Sequence, residues 1–321
     1  MHEIMKRIRC REFMALAILL VLLSCQAGNR QATEAAGAAQ ATETVDVVVV
    51  GGGPAGLAAA YGLRDRQVVL LEKNDYLGGR VLTREQTGVI YEMGALFAYD
   101  PRDLPFPMQK TSHVSGRRPV GIWMNGQGHF AQSIAEALLD LPEIPQADRE
   151  TLLATRNGPP SSLSDYSAIG QKVIGALFNV IHAGKIEDYA YYRHGDAFLT
   201  FPDNRVAAGN RELVEAFQSR LSADIRTSAT VTAIHNVGDV VLVDYVKDGK
   251  TATLKSTAAV VATPADVAAR ILPDAPAVTR DFLQGVRYEK GAVVVLAVRN
   301  LKIADFHYIV TPDAAMNSIF H

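Results

Sequence analysis

The stretch that most constrains the fold is a glycine-rich turn between an apolar run and a helical segment. Val45 to Val50 is interrupted only by Asp46 and is otherwise β-branched, which is typical of a buried parallel strand. Gly51 to Gly56 (GGGPAG) then matches the spacing G-x-G-x-x-G, and Leu57 to Leu63 begins a helix. This order predicts the first βαβ unit of an α/β domain that binds a dinucleotide.

Each of the three glycines that define the G-x-G-x-x-G spacing has its own physical reason. Gly51 permits a tight turn, Gly53 lets the backbone approach a pyrophosphate, and Gly56 lets the helix pack close to the strand. The N-terminus of the helix, next to Pro54 and Ala55, offers unpaired N–H groups and the positive end of the helix dipole to the phosphates. We therefore expect these five residues to contact the cofactor. The alternative is a glycine-rich turn in an unrelated α/β domain.

A second apolar run and an acidic residue complete the unit. Val68 to Leu71 (VVLL) predicts the second strand, and Glu72 lies at its end. A carboxylate at this point accepts hydrogen bonds from the hydroxyl groups of an adenosine ribose, so Glu72 is a candidate cofactor ligand. The adjacent Lys73 is a further candidate. Strand, glycines, helix, second strand and acid follow in order, which makes the pattern more specific than its glycines alone.

The segment after Glu72 indicates which dinucleotide is bound. Lys73 to Thr83 reads KNDYLGGRVLT, and its LGGR resembles the superfamily of FAD-dependent amine oxidases, protoporphyrinogen oxidases and phytoene desaturases. The resemblance implies that Gly78, Gly79 and Arg80 surround the pyrophosphate of FAD. The glycines allow close approach of the backbone, and the guanidinium binds phosphate through two hydrogen bonds. The alternative is a Gly-Gly turn followed by a surface arginine.

Later segments follow the order of this superfamily as far as residue 300. Ala208-Gly209-Asn210 resembles its turn before a helix, here predicted from Glu212 to Leu221. Thr230 to Ile234 and Ala259 to Pro264 resemble its later strands. The resemblance implies further cofactor contacts, near the isoalloxazine ring and at the adenine end, by Met93, Gly94, Ala95, Val231, Ala262 and Thr263.

The predicted fold class is α/β. A Rossmann-like FAD-binding domain, a parallel sheet with added β-strands, is interleaved with an α+β substrate domain. In chain order we assign residues 1–24 to a lipoprotein signal peptide, 25–44 to a flexible tether, 45–99 and 206–275 to the FAD-binding domain, and 100–205 and 276–321 to a substrate domain that is truncated at its end.

Residues 100–205 interrupt the nucleotide-binding pattern. Ser164 to Ala183 has the apolar spacing of a helix, and Phe306 to Val310 (FHYIV), in the later part of the substrate domain, has the pattern of an interior strand. After the helix, a cluster of ring-bearing side chains would either line a substrate cavity or, as we favour, pack in the core: Tyr189, Tyr191, Tyr192, His194 and Phe198. Neither the spacing of the histidines (His113, His129 and His182) nor any other pattern predicts a metal site.

A strand expected in the substrate domain departs from the superfamily. Amine oxidases that resemble this chain commonly carry a lysine in that strand, which contacts the flavin through water. The corresponding stretch here, Gly291 to Val298, is wholly apolar, with Val295 near the lysine position. Oxidation of an amine is therefore not implied, and a reaction like that of a desaturase or protoporphyrinogen oxidase fits equally well.

The N-terminus has the pattern of an export signal. A basic segment is followed by Phe13 to Leu23, an apolar run of eleven residues, whereas a membrane-spanning helix needs about 20. Leu22-Leu23-Ser24-Cys25 resembles a bacterial lipobox, which implies lipidation at Cys25 and a place in the cell envelope, at its periplasmic or extracellular face. Gln26, in place of an aspartate, favours the outer membrane in a cell that has one. The alternative is a core helix or an uncleaved anchor.

The bulk composition excludes several classes of protein. The formal net charge is −2, so the chain lacks the basic excess typical of nucleic-acid binding. Both cysteines, Cys10 and Cys25, precede the globular part, which excludes disulfides and a cysteine nucleophile from Gln26 onward.

The favoured function is an FAD-dependent oxidoreductase that oxidises a small organic substrate by hydride transfer to N5 of the flavin. No catalytic side chain is assigned. Relatives in the superfamily continue beyond the point corresponding to His321 and close over the flavin. The alternatives are therefore a truncated, non-catalytic FAD- or nucleotide-binding lipoprotein and half of a split flavoenzyme that a second polypeptide completes. An NAD(P)H-dependent reductase is a third candidate, weakened by the single G-x-G-x-x-G.

Overall fold

The structure is a computed structural model that describes residues 42–86, 88–95, 104–106, 119–157, 162–182, 210–288, 290–296 and 306–320. The predicted signal peptide, Cys25 and the ring cluster at 189–198 lie outside these residues.

Among the described residues, a single helix stands between the second and third strands of the first part of the chain, and most other helices follow later. In chain order the strands are β1 Glu43–Thr44, β2 Val47–Val50, β3 Val68–Leu71, β4 Thr83–Gln86, β5 Val89–Glu92, β6 Val120–Met124, β7 Gln127–Ala131, β8 Asp224–Arg226, β9 Ala229–Val237, β10 Val240–Lys247, β11 Lys250–Ser256, β12 Ala258–Val261, β13 Tyr308–Val310 and β14 Ser318–Phe320. The α-helices are α1 Pro54–Gly62, α2 Ile134–Leu139, α3 Gln146–Asn157, α4 Ala168–His182, α5 Arg211–Gln218, α6 Ala265–Ile271 and α7 Ala277–Gly285.

The chain divides into two units. The first comprises residues 1–113 and 205–287, and the second comprises residues 114–204 and 288–321.

The first unit is built on a parallel sheet of four strands in the order β12-β2-β3-β8. Side chains of a strand alternate between its two faces. Val47 and Val49 of β2 accordingly join one core with Leu57 of α1 and Phe217 of α5. Val48 and Val50 join the opposite core, which also includes residues of β9, β10 and β11. The predicted strand–helix–strand unit and the α/β fold class are thereby confirmed.

The strands added to this unit form a second sheet in the order β1-β11-β10-β9. Glu43 and Thr44, which the sequence assigns to the tether, pair with β11 as the short strand β1. The Arg226 guanidinium holds this strand, since its Nη2 lies 2.7 Å from Oε1 of Glu43. This hydrogen bond is the main reason that the pKa of Arg226 is raised above its ordinary value.

The second unit packs helices against a sheet in the order β14-β13-β6-β7. The helix predicted from Ser164 to Ala183 is observed as α4. The run from Phe306 to Val310 contributes β13, whose three residues are buried between β14 and β6. Both expectations for this unit are confirmed, because each rests on an apolar pattern within the segment itself.

The strand predicted from Gly291 to Val298 is wrong in its described part. Residues 291–296 are irregular, and Val294 and Leu296 are each 76% exposed. None of the described strands pairs with this segment. A β-branched composition suits a pleated surface, but a strand needs a hydrogen-bonded neighbour to persist.

Among the described residues, no helix combines the length and the apolar character that crossing a membrane requires.

Candidate cofactor site

Three neighbouring parallel strands end at the same edge of the sheet, where their following residues meet. Gly51 follows β2, Glu72 follows β3, and Ala262 follows β12. The N–H of Gly51 donates to the carbonyl of Leu71 across 2.8 Å, and the N–H of Ala262 donates to the carbonyl of Val50 across 2.8 Å. Ligands of α/β sheets bind beyond this carboxyl edge.

Two glycines of the turn are required by the protein itself. Gly51 has φ of +106°, and a Cβ placed there would lie 2.7 Å from the carbonyl oxygen of Ala262. A Cβ on Gly56 would lie 1.8 Å from the carbonyl oxygen of Gly51. Any side chain at either position would therefore distort the turn.

Gly53 is different, because neither its conformation nor its neighbours require glycine. Its φ is −75°, and no heavy atom lies within 4 Å of a Cβ placed there. The first turn of α1, which starts at Pro54 and Ala55, has neither a side-chain cap nor an acidic residue. Open space at Gly53 beside the positive end of a helix fits a pyrophosphate.

Glu72 is buried and holds the turn in place. Its side chain is 5% exposed. Oε2 accepts the N–H of Gly52 across 2.7 Å, and Oε1 accepts the N–H of Asn74 across 2.8 Å. Each carboxylate oxygen can accept a further hydrogen bond, so binding of ribose hydroxyls by Glu72 stays a prediction that this geometry permits. Lys73 is exposed next to it.

The second glycine-rich turn is bonded directly to the first. The N–H of Gly78 donates to the carbonyl of Gly52 across 2.8 Å. Gly78 and Gly79 have φ of +106° and +54°, and a Cβ on Gly79 would lie 3.3 Å from the Cα of Gly53. Arg80, the next residue, is exposed. The two turns thus lie directly against each other at Gly52 and Gly53.

The segment Met93-Gly94-Ala95 lies along the second turn. The N–H of Met93 donates to the carbonyl of Leu82 across 2.8 Å, and that of Ala95 donates to the carbonyl of Arg80 across 2.9 Å. A Cβ on Gly94 would lie 2.0 Å from the same carbonyl oxygen of Arg80. The structure therefore brings these three residues beside Arg80.

The remaining predicted residues lie near Gly51 and near Glu72. Thr263 follows Ala262, and its Cγ2 lies 3.6 Å from a Cβ placed on Gly51. Val231 lies in β9, two residues after Ala229, whose N–H donates to the carbonyl of Glu72 across 2.9 Å. The fold thus gathers the predicted set from both halves of the first unit.

Three polar residues to which the sequence assigns no individual role organise this region, namely Thr83, Glu92 and Asn210. Thr83 and Asn210 are buried, and Oε1 of Glu92 accepts the N–H of Asn210 across 2.6 Å. No local signal identifies these residues, because Glu92 and Asn210 are 118 residues apart. Among the described residues, no group of histidine, cysteine and acidic side chains has the arrangement of a metal site.

Two family models match the chain. A model for an NAD(P)-binding Rossmann-like domain matches residues 49–105, and one for flavin-containing amine oxidoreductases matches residues 122–300, more than half of the chain. The chain belongs to the flavin-containing amine oxidoreductase family. FAD is accordingly its cofactor, and the open space at Gly53, the helix N-terminus and the two glycine-rich turns fit the pyrophosphate of that cofactor.

Curated relatives match this family member over short stretches. It is 48% identical over 62 residues to AofH of Mycobacterium tuberculosis, described as a flavin-containing monoamine oxidase; the match covers 19% of this chain and 14% of AofH. It is 40% identical over 60 residues to ferredoxin–NADP reductase 2 of Sulfolobus acidocaldarius, covering 17% and 18% respectively. These matches span less than a fifth of either relative.

Solved structures match the flavoprotein over most of its length. Wild-type putrescine oxidase bound to putrescine gives a TM-score of 0.59 at 15% identity, covering 87% of this chain and 72% of the oxidase. A protein described as a protoporphyrinogen oxidase from Exiguobacterium sp. 255-15 gives a TM-score of 0.58 at 19% identity, covering 87% and 73%. At these identities the likeness shows a shared fold.

Proposed function

We propose that this chain is an FAD-dependent oxidoreductase that oxidises a small organic substrate. FAD, when bound, supplies the hydride acceptor at N5 of its ring. The observation that carries the proposal is the open space at Gly53, where a glycine stands although the protein itself leaves room for a side chain. Membership of the flavin-containing amine oxidoreductase family supports the same conclusion.

The protein's own part is to bind and orient the cofactor. The N-terminal turn of α1 and the backbone at Gly53 and Gly79 would hold the pyrophosphate, with the Arg80 guanidinium as an additional cation. Glu72 fixes the turn through Gly52 and would accept the ribose hydroxyls. We assign no side-chain base to the reaction.

The substrate class stays open between amines and more apolar molecules. Putrescine is the ligand of one structural neighbour, but this chain carries Val295 near the position where amine oxidases of the superfamily have a lysine. We therefore propose hydride abstraction from carbon without assuming an amine.

The test uses the purified chain with added FAD. We expect bound FAD to show the flavin absorbance bands, and anaerobic addition of a substrate to bleach them. A panel of primary amines, polyamines and porphyrinogens separates the candidate substrate classes. A chain that fails to bind FAD at high concentration would overturn the proposal, and binding without bleaching by any compound would overturn its catalytic part.

We also propose that the chain is a lipoprotein of the bacterial cell envelope, lipidated at Cys25. The support is the basic segment, the short apolar run and the cysteine after Leu22-Leu23-Ser24. Cys25→Ser should release the protein from the membrane fraction, whereas Cys10→Ser, the matched control before the apolar run, should not. Retention of the Cys25→Ser variant in membranes would contradict the proposal.

A further inference from the structure

A threonine and a glutamate face each other across the hairpin of β4 and β5. Thr83 and Glu92 are register partners of the two strands. The Thr83 hydroxyl donates to the Glu92 carboxylate, with Oγ1 2.9 Å from both Oε1 and Oε2. Thr83 is buried and Glu92 is half-buried, so this hydrogen bond is largely withdrawn from solvent.

The same two side chains cap a helix from a distant part of the chain. The N–H of Asn210 donates to Oε1 of Glu92 across 2.6 Å, and the N–H of Arg211 donates to Oγ1 of Thr83 across 2.9 Å. The first N–H groups of a helix lack partners within the helix, and a carboxylate also suits the positive end of its dipole. The hairpin therefore supplies the cap that α5 lacks in its own N-terminal sequence.

Asn210 uses its side chain for another purpose. It makes no side-chain cap for α5. Instead Nδ2 of Asn210 donates to the carbonyl of Ala95 across 2.7 Å. The N–H of Ala95 in turn donates to the carbonyl of Arg80. The start of α5 is thereby joined to the second glycine-rich turn.

A series of hydrogen bonds, connected by the backbone from Gly78 to Arg80, thus runs from α5 to the proposed pyrophosphate site. It passes from Glu92 to Asn210, from Asn210 to Ala95 and from Ala95 to Arg80. From the second turn it continues through the N–H of Gly78 to the carbonyl of Gly52.

We propose that Thr83 and Glu92 are positioning residues for the cofactor. Their cap fixes the start of α5, which fixes Met93-Gly94-Ala95 and the second turn against the first. The proposal rests on the proposed function in one respect, that the cofactor is FAD.

The experiment compares two replacements of one hydroxyl. Thr83→Val keeps the shape but can neither donate to Glu92 nor accept from Arg211, and we expect the Kd for FAD to rise about tenfold, as loss of a charge-assisted hydrogen bond would cause. Thr83→Ser keeps the hydroxyl and should restore the Kd to within about twofold of the wild type. Asn210→Ala breaks the link to Ala95 while leaving the Thr83–Glu92 pair, and should also weaken FAD binding.

A matched control separates positioning from general loss of stability. Thr253 Oγ1 donates to Oδ1 of Asp244 across 2.6 Å in the sheet of β10 and β11. Thr253→Val removes a comparable threonine–carboxylate hydrogen bond and should lower the melting temperature without changing the Kd for FAD. An equal loss of affinity in Thr253→Val, or wild-type affinity in Thr83→Val, would overturn the proposal.

Amide hydrogen exchange without added FAD tests the cap independently of FAD binding, so failure of this proposal can be told apart from failure of the proposed function. Thr83→Val should accelerate exchange at Ala95, Asn210 and Arg211 more than Thr253→Val does. If the wild-type chain does not bind FAD, the proposed function fails while the exchange measurement still tests the cap. Unchanged exchange at these three amides would contradict the cap itself.

Discussion

Gly52 donates its backbone N–H to Oε2 of Glu72 across 2.7 Å, so the first glycine-rich turn is fixed by a carboxylate at the end of the neighbouring strand. The other oxygen of Glu72 accepts the N–H of Asn74. A residue predicted to bind ribose therefore also organises the turn that faces the phosphates. Loss of its charge should affect both roles.

Glu72→Gln tests this double role. The amide presents one oxygen where the carboxylate presented two, so one buried N–H group loses its acceptor, at a cost of about 1–3 kcal/mol in the free energy of unfolding. We expect the Kd for FAD, measured by quenching of flavin fluorescence, to rise at least about tenfold. Glu150→Gln on α3 is the control, because this substitution removes the same charge from an exposed side chain in the second unit. Wild-type affinity in Glu72→Gln would contradict a cofactor role for Glu72.

Alanine substitutions at three glycines should distinguish a glycine that cofactor binding requires from one that the fold itself requires. Gly53→Ala should melt near the wild-type temperature and lose FAD affinity, because its Cβ enters space that the protein leaves open. Gly56→Ala should destabilise the fold, because its Cβ would lie 1.8 Å from the carbonyl oxygen of Gly51. Gly62→Ala is the control, since a Cβ there also meets no atom within 4 Å and lies at the far end of α1. Thermal melts measure the stability of each variant, and titration with FAD measures its affinity. Full affinity for FAD in Gly53→Ala would argue against a pyrophosphate at this position.

Asp148 is expected to contribute to the stability of the second unit. It is 3% exposed, its Oδ1 accepts the N–H of Ser167 across 2.9 Å, and its Oδ2 accepts the hydroxyl of Ser167 across 2.5 Å. Asp148→Ala leaves both donors unpaired and should lower the free energy of unfolding by about 1.5–3 kcal/mol. Urea unfolding followed by the fluorescence of Trp123, the single tryptophan of the chain, measures this change. Glu150→Ala, an exposed site on the same helix, should change it little.

The pH dependence of Asp313 follows from its partners. A hydrogen bond from the Lys172 ammonium, and then one from the N–H of Asn125, lower the pKa of Asp313 below its ordinary value. Its contribution to stability is therefore present above the ordinary pKa of about 3.9 and is lost as the pH falls through the lowered value. Because the group is exposed, the contribution to stability is small.

Lys172→Met should raise the pKa of Asp313 toward the ordinary value, while Lys172→Arg should keep it low. NMR titration of the side-chain carboxyl carbon measures both shifts. An unchanged pKa in Lys172→Met would show that Asn125 alone controls this carboxylate.

Local patterns were sufficient to predict the elements around the site. The β-branched run before Gly51, the glycine spacing and the second apolar run ending at Glu72 predict β2, α1 and β3, because strand and helix periods and turn glycines act within a few residues. The apolar run that ends at Val310 likewise predicts the buried strand β13. In each case the residues that determine the element are the residues that form it.

Non-local features were beyond prediction from the sequence. The cap of α5 needs Glu92 and Asn210 together, and nothing in either segment indicates the other. The strand expected around Val295 is not observed, and the reason is also non-local. Its composition suits a strand, but none of the described strands pairs with it. Pairing and capping depend on distant residues, which a single sequence does not reveal.

The parallel sheet of the first unit also dictates an order of assembly during synthesis. Val47 of β2 pairs with Val68 on one side and with Ala258 on the other. β8, at Asp224–Arg226, completes the opposite edge of the sheet. A growing chain therefore cannot finish this sheet until β12 has left the ribosome, and pairing over such long separations is intrinsically slow. The turn from Gly51 to Gly56 is synthesised early and acquires its final surroundings late.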